Sequence, residues 1–486
     1  MTATLLDAVR NVPKALMIGG EQRAASDGAT FDVLDPATGQ VLATVASGTV
    51  DDAVSCVDAA AAAAAGWAAT APRQRSDILR RAYELMVERA DILARLIVAE
   101  NGKALPDARG EVLYSAEFFR WYAEEAVRIK GEIQTAPGGA NKIIVVHQPV
   151  GIAVLVTPWN FPAAMASRKI GPALAAGCTV ILKPASETPL TALALAAILA
   201  EAGVPRGVVN VLPSKRSGPV VAAMLADPRV RKLSFTGSTE VGRTLLHLAN
   251  EQIINCSMEL GGNAPFIVFE DADLDAAIEG ALIAKMRNAG EACTAANRFY
   301  VAASIADEFA RRLSSAMSSM RVGPGADDGV TVGPLVNAAS RTKVAELVDG
   351  AVANGAKVLT GGAVPDGAGF FYPPTVLTHV PPNAAILHTE IFGPVAPIAT
   401  FTTEDEAVEL ANSTDFGLVS YVYTRDLARG LRVSERIEAG MVGLNRGLVS
   451  DPAAPFGGVK QSGLGREGGH EGMLAFTESK YIAVQW

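Results

Sequence analysis

Three residues in this chain could do covalent chemistry together: a cysteine, a glutamate and an asparagine. Cys293 stands in Asn288-Ala289-Gly290-Glu291-Ala292-Cys293-Thr294-Ala295, a small-residue segment that can leave a thiol exposed at the base of a cleft. Glu259 stands in Met258-Glu259-Leu260-Gly261-Gly262-Asn263, and Asn160 in Thr157-Pro158-Trp159-Asn160-Phe161-Pro162. A thiol can be a nucleophile, a carboxylate a general base for water, and an amide an oxyanion donor. These are the parts that oxidation of an aldehyde through a thioester requires. The same three could also cleave activated esters without a cofactor.

The Glu-Leu-Gly-Gly and Gly-x-x-Cys stretches, their order and their interval resemble the aldehyde dehydrogenase superfamily over nearly the whole chain. The resemblance implies that the Asn160 amide and the Cys293 backbone N–H hold the oxyanion while Glu259 activates water. It implies that Glu390, in Glu390-Ile391-Phe392-Gly393-Pro394, holds the nicotinamide ribose, with Phe392 packing nearby. Thr157, Pro158, Trp159, Asn160 and Leu260 border the same cofactor. Gly237 and Ser238, in Phe235-Thr236-Gly237-Ser238-Thr239-Glu240, link an expected strand to an expected helix whose N-terminal amides can face a pyrophosphate.

Lys183 opens Lys183-Pro184-Ala185-Ser186-Glu187, and the resemblance assigns it to the adenosine ribose, with Ala185 and Ser186 beside it. NAD-preferring relatives often carry Glu three residues after this lysine. Ser186 stands there instead. A carboxylate repels a 2′-phosphate and a hydroxyl can donate to one, so NADP is expected over NAD, with dual use as the alternative.

Arg168 and Arg287 match positions that succinate-semialdehyde dehydrogenases use for the distal carboxylate of the substrate. Guanidinium suits that task through its forked, permanent donors. Ser450 resembles a third contact of this subgroup. The implied activity is oxidation of succinic semialdehyde to succinate, as in 4-aminobutyrate breakdown. Another ω-carboxylated aldehyde such as glutarate semialdehyde, or a broad aldehyde range, is the alternative. Acyl transfer to coenzyme A is disfavoured by Glu259, which points to water as acceptor. Three positions depart from the pattern. Glu291 replaces a common Gln and would raise the thiol pKa if it faced Cys293. Ala295 replaces a second cysteine, so no Cys-x-Cys switch is expected. Arg446 is unusual beside Asn445.

The chain has 486 residues, room for several domains. It is 49% hydrophobic with net charge −9 and has no basic stripe, so a buried core is expected and nucleic acid is not. Four cysteines make no disulfide framework. Cys56, Cys178 and Cys256 are expected as buried small hydrophobes. The opening Met1-Thr2-Ala3-Thr4-Leu5-Leu6-Asp7 has no basic region before an apolar run, and no apolar run is long enough for a membrane span. The five histidines lack metal-ligand spacing, so no metal is expected. A cytoplasmic setting fits best.

These residues must be positioned by alternating strands and helices. Residues from about 50 to 130 are expected to be mostly helical, including 77–100. From Gly151 onward short apolar runs alternate with helical segments, which predicts a parallel sheet with right-handed crossovers. The expected class is α/β. A Rossmann-like parallel-sheet cofactor domain occupies 1–125 and 147–258. A second α/β domain, 259–455, carries the cysteine. Strands in 126–146 and 470–486 form a small β extension, which in the family bridges subunits of a homodimer or homotetramer. The match Gly463-Leu464-Gly465-Arg466-Glu467-Gly468 is rejected as the dinucleotide loop, because no strand precedes it and too few residues follow.

Overall fold

The run Ile152–Val156 is buried along its whole length, as a strand covered on both faces should be. This strand, β1, pairs in parallel with β2 (Thr179–Lys183) on one side and β3 (Val230–Thr236) on the other. β4 (Asn255–Glu259) follows β3 in parallel, and Val209–Val211 follows β2. Antiparallel strands complete the eight-stranded sheet: Leu16–Ile18 and Glu21–Arg23 at one edge, Gly463–Leu464 at the other. The structure is a computed structural model that describes residues 3–485. Met1, Thr2 and Trp486, the ends of the expected cofactor domain and bridging strands, lie outside the described residues, as does the start of the segment read for a targeting signal.

The period of two along β1 sorts its side chains into two layers. Ala153 and Leu155 join one core with α1 (Leu105–Glu125) and α2 (Pro162–Ala176). Ile152, Val154 and Val156 join another with α3 (Ser217–Ala226) and α4 (Thr239–Asn250). α2 starts on Pro162, which needs no N–H in a first turn, and ends at Gly177 in a left-handed conformation, φ 97°. Every residue of α2 is buried, Arg168 and Lys169 included.

From β1 the chain crosses to β2 on one side and later to β3 on the other. The crevice at this reversal is where α/β sheets bind ligands. Register brings the carboxyl ends level: Val156 opposes Lys183 and Phe235, and Thr236 opposes Glu259.

The second sheet has seven strands, with β5 (Ala264–Val268) and β6 (Ala296–Ala302) near its middle. All pairs are parallel except Lys357–Thr360 with Thr375–Thr378. α5 (Leu274–Met286) leads into the cysteine loop, and α6 (Ala338–Ala353) lies later in the chain. A third sheet joins Glu132–Thr135, Lys142–Pro149 and Thr477–Val484, with Ile133, Tyr481 and Ile482 exposed on it.

Several details differ from expectation. The extension strand runs past residue 146 to Pro149, and its partner starts at Thr477 after the helix Gly469–Leu474. The helical stretch 77–100 is broken at Arg89 into Pro72–Glu88 and Ala90–Asn101. Cys56 and Cys178 are buried, but Cys256 is only half-buried. A two-residue strand, Val459–Lys460, does precede the glycine stretch, yet it pairs with Phe416–Gly417 and opens no βαβ unit. Gly463–Leu464 itself edges β4. No single helix among the described residues is long and apolar enough to cross a membrane.

Candidate active site

The cysteine loop is strained where it must turn. Asn288, Ala289 and Gly290 are all left-handed, with φ of 53°, 52° and 78°. Glycine adopts this freely and asparagine tolerates it, while alanine costs about 1 kcal/mol or more. The surroundings hold the turn. The Asn288 N–H donates to Asp107 Oδ2 at 2.8 Å. Asn288 Nδ2 donates to the Asn160 carbonyl at 2.8 Å and the Glu291 carbonyl at 3.0 Å. Position 262 has to be glycine, because a Cβ there would stand 2.3 Å from the Cys293 carbonyl oxygen.

Cys293 is partly exposed at the floor of a cleft of about 790 Å³. Asn160, Trp159, Pro158, Gly237, Ser238, Leu260, Glu390 and Phe392 line the same cleft. Asn160 Nδ2 donates to the Glu291 carbonyl at 3.1 Å, next to the thiol. Both carboxylate oxygens of Glu259 are buried without a partner. Such a group is costly and is a functional-site signature. Burial, then the charge of Glu467, raise the Glu259 pKa well above the usual glutamate range, against the pull of Arg168 and Lys169. Burial pushes the Cys293 thiol up to about 12, with Arg168 opposing and Glu390 and Glu259 adding to it. The resting thiol is therefore protonated. Glu291 turns away from it and accepts from the Val336 N–H at 3.1 Å.

The cleft suits a dinucleotide. Thr236 Oγ1 is buried in its wall without a partner. Glu390 Oε1 accepts from the Gly262 N–H at 2.9 Å. Trp159 and Phe392 meet edge to face with centroids 5.4 Å apart. Thr157 continues the pairing of β1 with β2, donating to the Lys183 carbonyl at 3.2 Å. Lys183, Ala185 and Ser186 extend from β2, outside the cleft's own lining. Lys183 Nζ donates to Ser217 Oγ at 2.7 Å, which brings the first turn of α3 alongside. Burial lowers the Lys183 pKa to about 8, against the pull of Glu187. Ser186 Oγ donates to Glu187 Oε2 at 3.2 Å, so the displaced carboxylate stays close. The exposed cations Lys215 and Arg216 stand just before α3.

On the other side of Cys293, Phe161, Ala164, Met165, Ala292 and Ala295 form an apolar cluster with Tyr114 against it. Arg287 lies over the Phe161 ring at 5.0 Å, and its Nη2 donates to Thr294 Oγ1 at 3.4 Å. Arg168 lies over the Phe456 ring at 4.1 Å. Arg168 Nη2 also donates to Met165 Sδ at 3.1 Å, and Tyr114 lies close to Arg168, Arg287 and the half-buried Ser450. Arg168, Arg287 and Ser450 thus gather around Tyr114, and both guanidiniums are close enough to act on the Cys293 thiol. Arg168 Nε also stands 2.8 Å from Glu467 Oε2, a close ion contact not aligned as a hydrogen bond. Arg446 is exposed, and its Nε braces the Leu448 carbonyl at 2.7 Å.

Sequence reasoning missed Tyr114, Thr236, Gly261, Ser340, Lys343, Phe456 and Glu467. Glu467 had a signal: a helix buried all round that carries Arg168-Lys169 demands a buried anion. It lies in the glycine stretch, whose local conformation brings Glu467 onto both cations.

The profile of the Aldehyde dehydrogenase family matches residues 23–482. The chain is similar to a succinate-semialdehyde dehydrogenase of Paenarthrobacter nicotinovorans, 56% identical, covering 91% of this chain and 99% of the relative. It is also similar to a glutarate-semialdehyde dehydrogenase of Pseudomonas putida, 48% identical, covering 96% and 97%. An E. coli NADP-dependent enzyme of known structure superposes with a TM-score of 0.96 at 47% identity, covering 98% of each chain. With the parallel-sheet crevice and the cysteine at its floor, these matches show that the chain belongs to the aldehyde dehydrogenase family.

Proposed function

We propose that this protein oxidises succinic semialdehyde to succinate with NADP, NAD serving as a weaker alternative. The observation that carries this reading is the convergence of two guanidiniums on the apolar cluster beside Cys293, Arg287 over Phe161 and Arg168 on Met165. A four-carbon aldehyde can reach the thiol with one end while its carboxylate meets Arg168 and Arg287. The P. nicotinovorans relative, by its name, acts on this aldehyde. The same pair of arginines could receive glutarate semialdehyde, the aldehyde in the name of the P. putida relative.

Cys293 gives up its proton to solvent, an ionisation that Arg168 and Arg287 favour, and its Sγ attacks the aldehyde carbon. The Asn160 amide and the Cys293 N–H receive the oxyanion. Glu390, Phe392, Trp159, Gly237, Ser238 and Leu260 would hold the cofactor, with Lys183, Ala185, Ser186 and Thr157 toward its adenosine end. Bound NADP supplies the hydride acceptor. The thioester on Cys293 is then hydrolysed by a water that Glu259 deprotonates. Lys215 and Arg216 favour a 2′-phosphate electrostatically, while Glu187 opposes it.

The three-stranded sheet, with exposed Ile133, Tyr481 and Ile482, supports assembly into a homodimer or homotetramer. The reading divides the chain into a cofactor domain, 1–125 and 150–258, a catalytic domain, 259–455, and bridging strands drawn from 126–149 and 470–486. A thiol nucleophile suits a reducing cytoplasm. The test is the initial rate of NADPH formation with succinic semialdehyde against butanal, which lacks the carboxylate. A strong preference for succinic semialdehyde supports the reading, and equal rates return both arginines to structural roles.

A further inference from the structure

Lys103 and Glu111 form an ion pair with no side-chain exposure on either partner, Nζ to Oε2 at 2.6 Å. A buried pair gains little stability over a well-packed apolar replacement, because taking two charges out of water offsets their attraction. Its partners show what else it does. Lys103 Nζ also donates to the Asn160 carbonyl at 2.7 Å and lies over the Phe161 ring at 4.1 Å. Glu111 Oε1 accepts from the Ala163 and Ala164 N–H groups at 2.9 and 3.3 Å, in the first turn of α2. Asn101 Nδ2 donates to the Trp159 carbonyl at 3.1 Å. Residues 159 to 164 are therefore gripped at one end by Asn101 and Lys103, just before α1, and at the other by Glu111 within α1.

We propose that Lys103, held by Glu111, is a positioning residue that aims the Asn160 amide at the oxyanion. Lys103 touches neither substrate nor cofactor in this scheme. It fixes the Asn160 peptide, and with it the direction of the Asn160 side chain. Asn288 Nδ2 is the second donor to the same carbonyl and ties that peptide to the nucleophile loop, since it also donates to the Glu291 carbonyl. One carbonyl thus sets the distance between oxyanion donor and thiol. The inference rests on Asn160 being that donor.

The test is a double-mutant cycle on the full-length enzyme, read as the pre-steady-state rate of NADPH formation with saturating succinic semialdehyde and NADP. Asn160→Ala should slow this step roughly 100- to 1,000-fold. Lys103→Met should slow it roughly 100-fold in the native background, with the KM for NADP unchanged. In the Asn160→Ala background, Lys103→Met should add less than about twofold. Equal losses in both backgrounds would overturn the proposal, because Lys103 would then act on stability or on another group. If Lys103→Met does not fold, Lys103→Gln serves in the same cycle. Its amide keeps a donor for the carbonyl, so it should lose less and again nothing further without Asn160. A fully active Asn160→Ala enzyme would instead remove the oxyanion role itself, a different failure from additive losses.

Discussion

Arg168 Nε stands 2.8 Å from Glu467 Oε2, and both side chains are almost wholly buried. Lys169, the next residue along α2, pairs with the other oxygen of the same carboxylate. Burial alone would raise the Glu467 pKa, but Lys169 and Arg168 outweigh it and hold it below the usual range. The Glu467 charge then bears on Glu259, whose pKa burial and Glu467 both raise. One arginine thus stands both among the residues proposed to receive the aldehyde and in the electrostatics of the proposed base.

The first prediction concerns pH. Glu259 must be ionised to act, so kcat rises with pH through a raised carboxylate pKa rather than near the ordinary ~4.3. Glu467→Gln removes the repelling charge and leaves two cations to favour ionised Glu259. The acid limb should move to lower pH in a kcat–pH profile. An unmoved limb would show that Glu467 does not tune the base.

The second concerns stability. With a raised folded pKa, Glu259 binds a proton in the folded state that the unfolded chain has released. Stability therefore falls as pH rises from the ordinary glutamate range through the raised value. Glu259→Gln should raise the melting temperature at about pH 8, and the gain should vanish near pH 4. Every tenfold difference in proton affinity between the folded and unfolded chain is worth about 1.4 kcal/mol. A gain that persists at acid pH would point to packing instead.

The third separates the two half-reactions. Glu259→Ala should form about one NADPH per site in a rapid burst and then turn over slowly, leaving the thioester on Cys293. Cys293→Ala should give neither burst nor turnover. Stopped-flow absorbance checks both, and multiple rapid turnovers by Glu259→Ala would assign water activation elsewhere.

The fourth separates the two arginines. Arg287→Leu should cost succinic semialdehyde about 2–3 kcal/mol in kcat/KM, or roughly 30- to 150-fold, and leave butanal nearly unchanged. Arg168→Leu takes one of two cations from Glu467 and leaves Lys169 alone to hold the buried carboxylate, a loss below the roughly 3–5 kcal/mol of a fully unpaired buried charge. It should depress both substrates and lower the melting temperature. Equal, aldehyde-independent effects from Arg287→Leu would remove it from the carboxylate-binding role.

The fifth tests the adenosine end. Ser186→Glu places a second carboxylate beside Glu187, close to Lys183. It should lower kcat/KM with NADP roughly tenfold or more while sparing NAD. A parallel fall with both cofactors would mean that Ser186 does not discriminate between them.

The sequence by itself singled out the alternating strands and helices and the residues proposed to carry chemistry. Ile152–Val156 could only be a strand covered on both faces, since a fully apolar run exposed on either side would be unstable. Cys293, Glu259 and Asn160 were legible because their segments combine a reactive group with the glycines and small residues that leave room around it. Tertiary structure alone decided the ionisation of those groups and the company they keep. Glu467 lies some 300 residues from Arg168 in the chain, at |i−j| of 298 from Lys169, and no local pattern announces that β4 and the strand Gly463–Leu464 will pair and bring it there. Lys103 reads as one more cation after a helix until folding carries it under Asn160. Local sequence sets propensity and reactivity, but desolvation and charge coupling depend on what long-range packing places within a few ångströms, and that distance exists only in the folded chain.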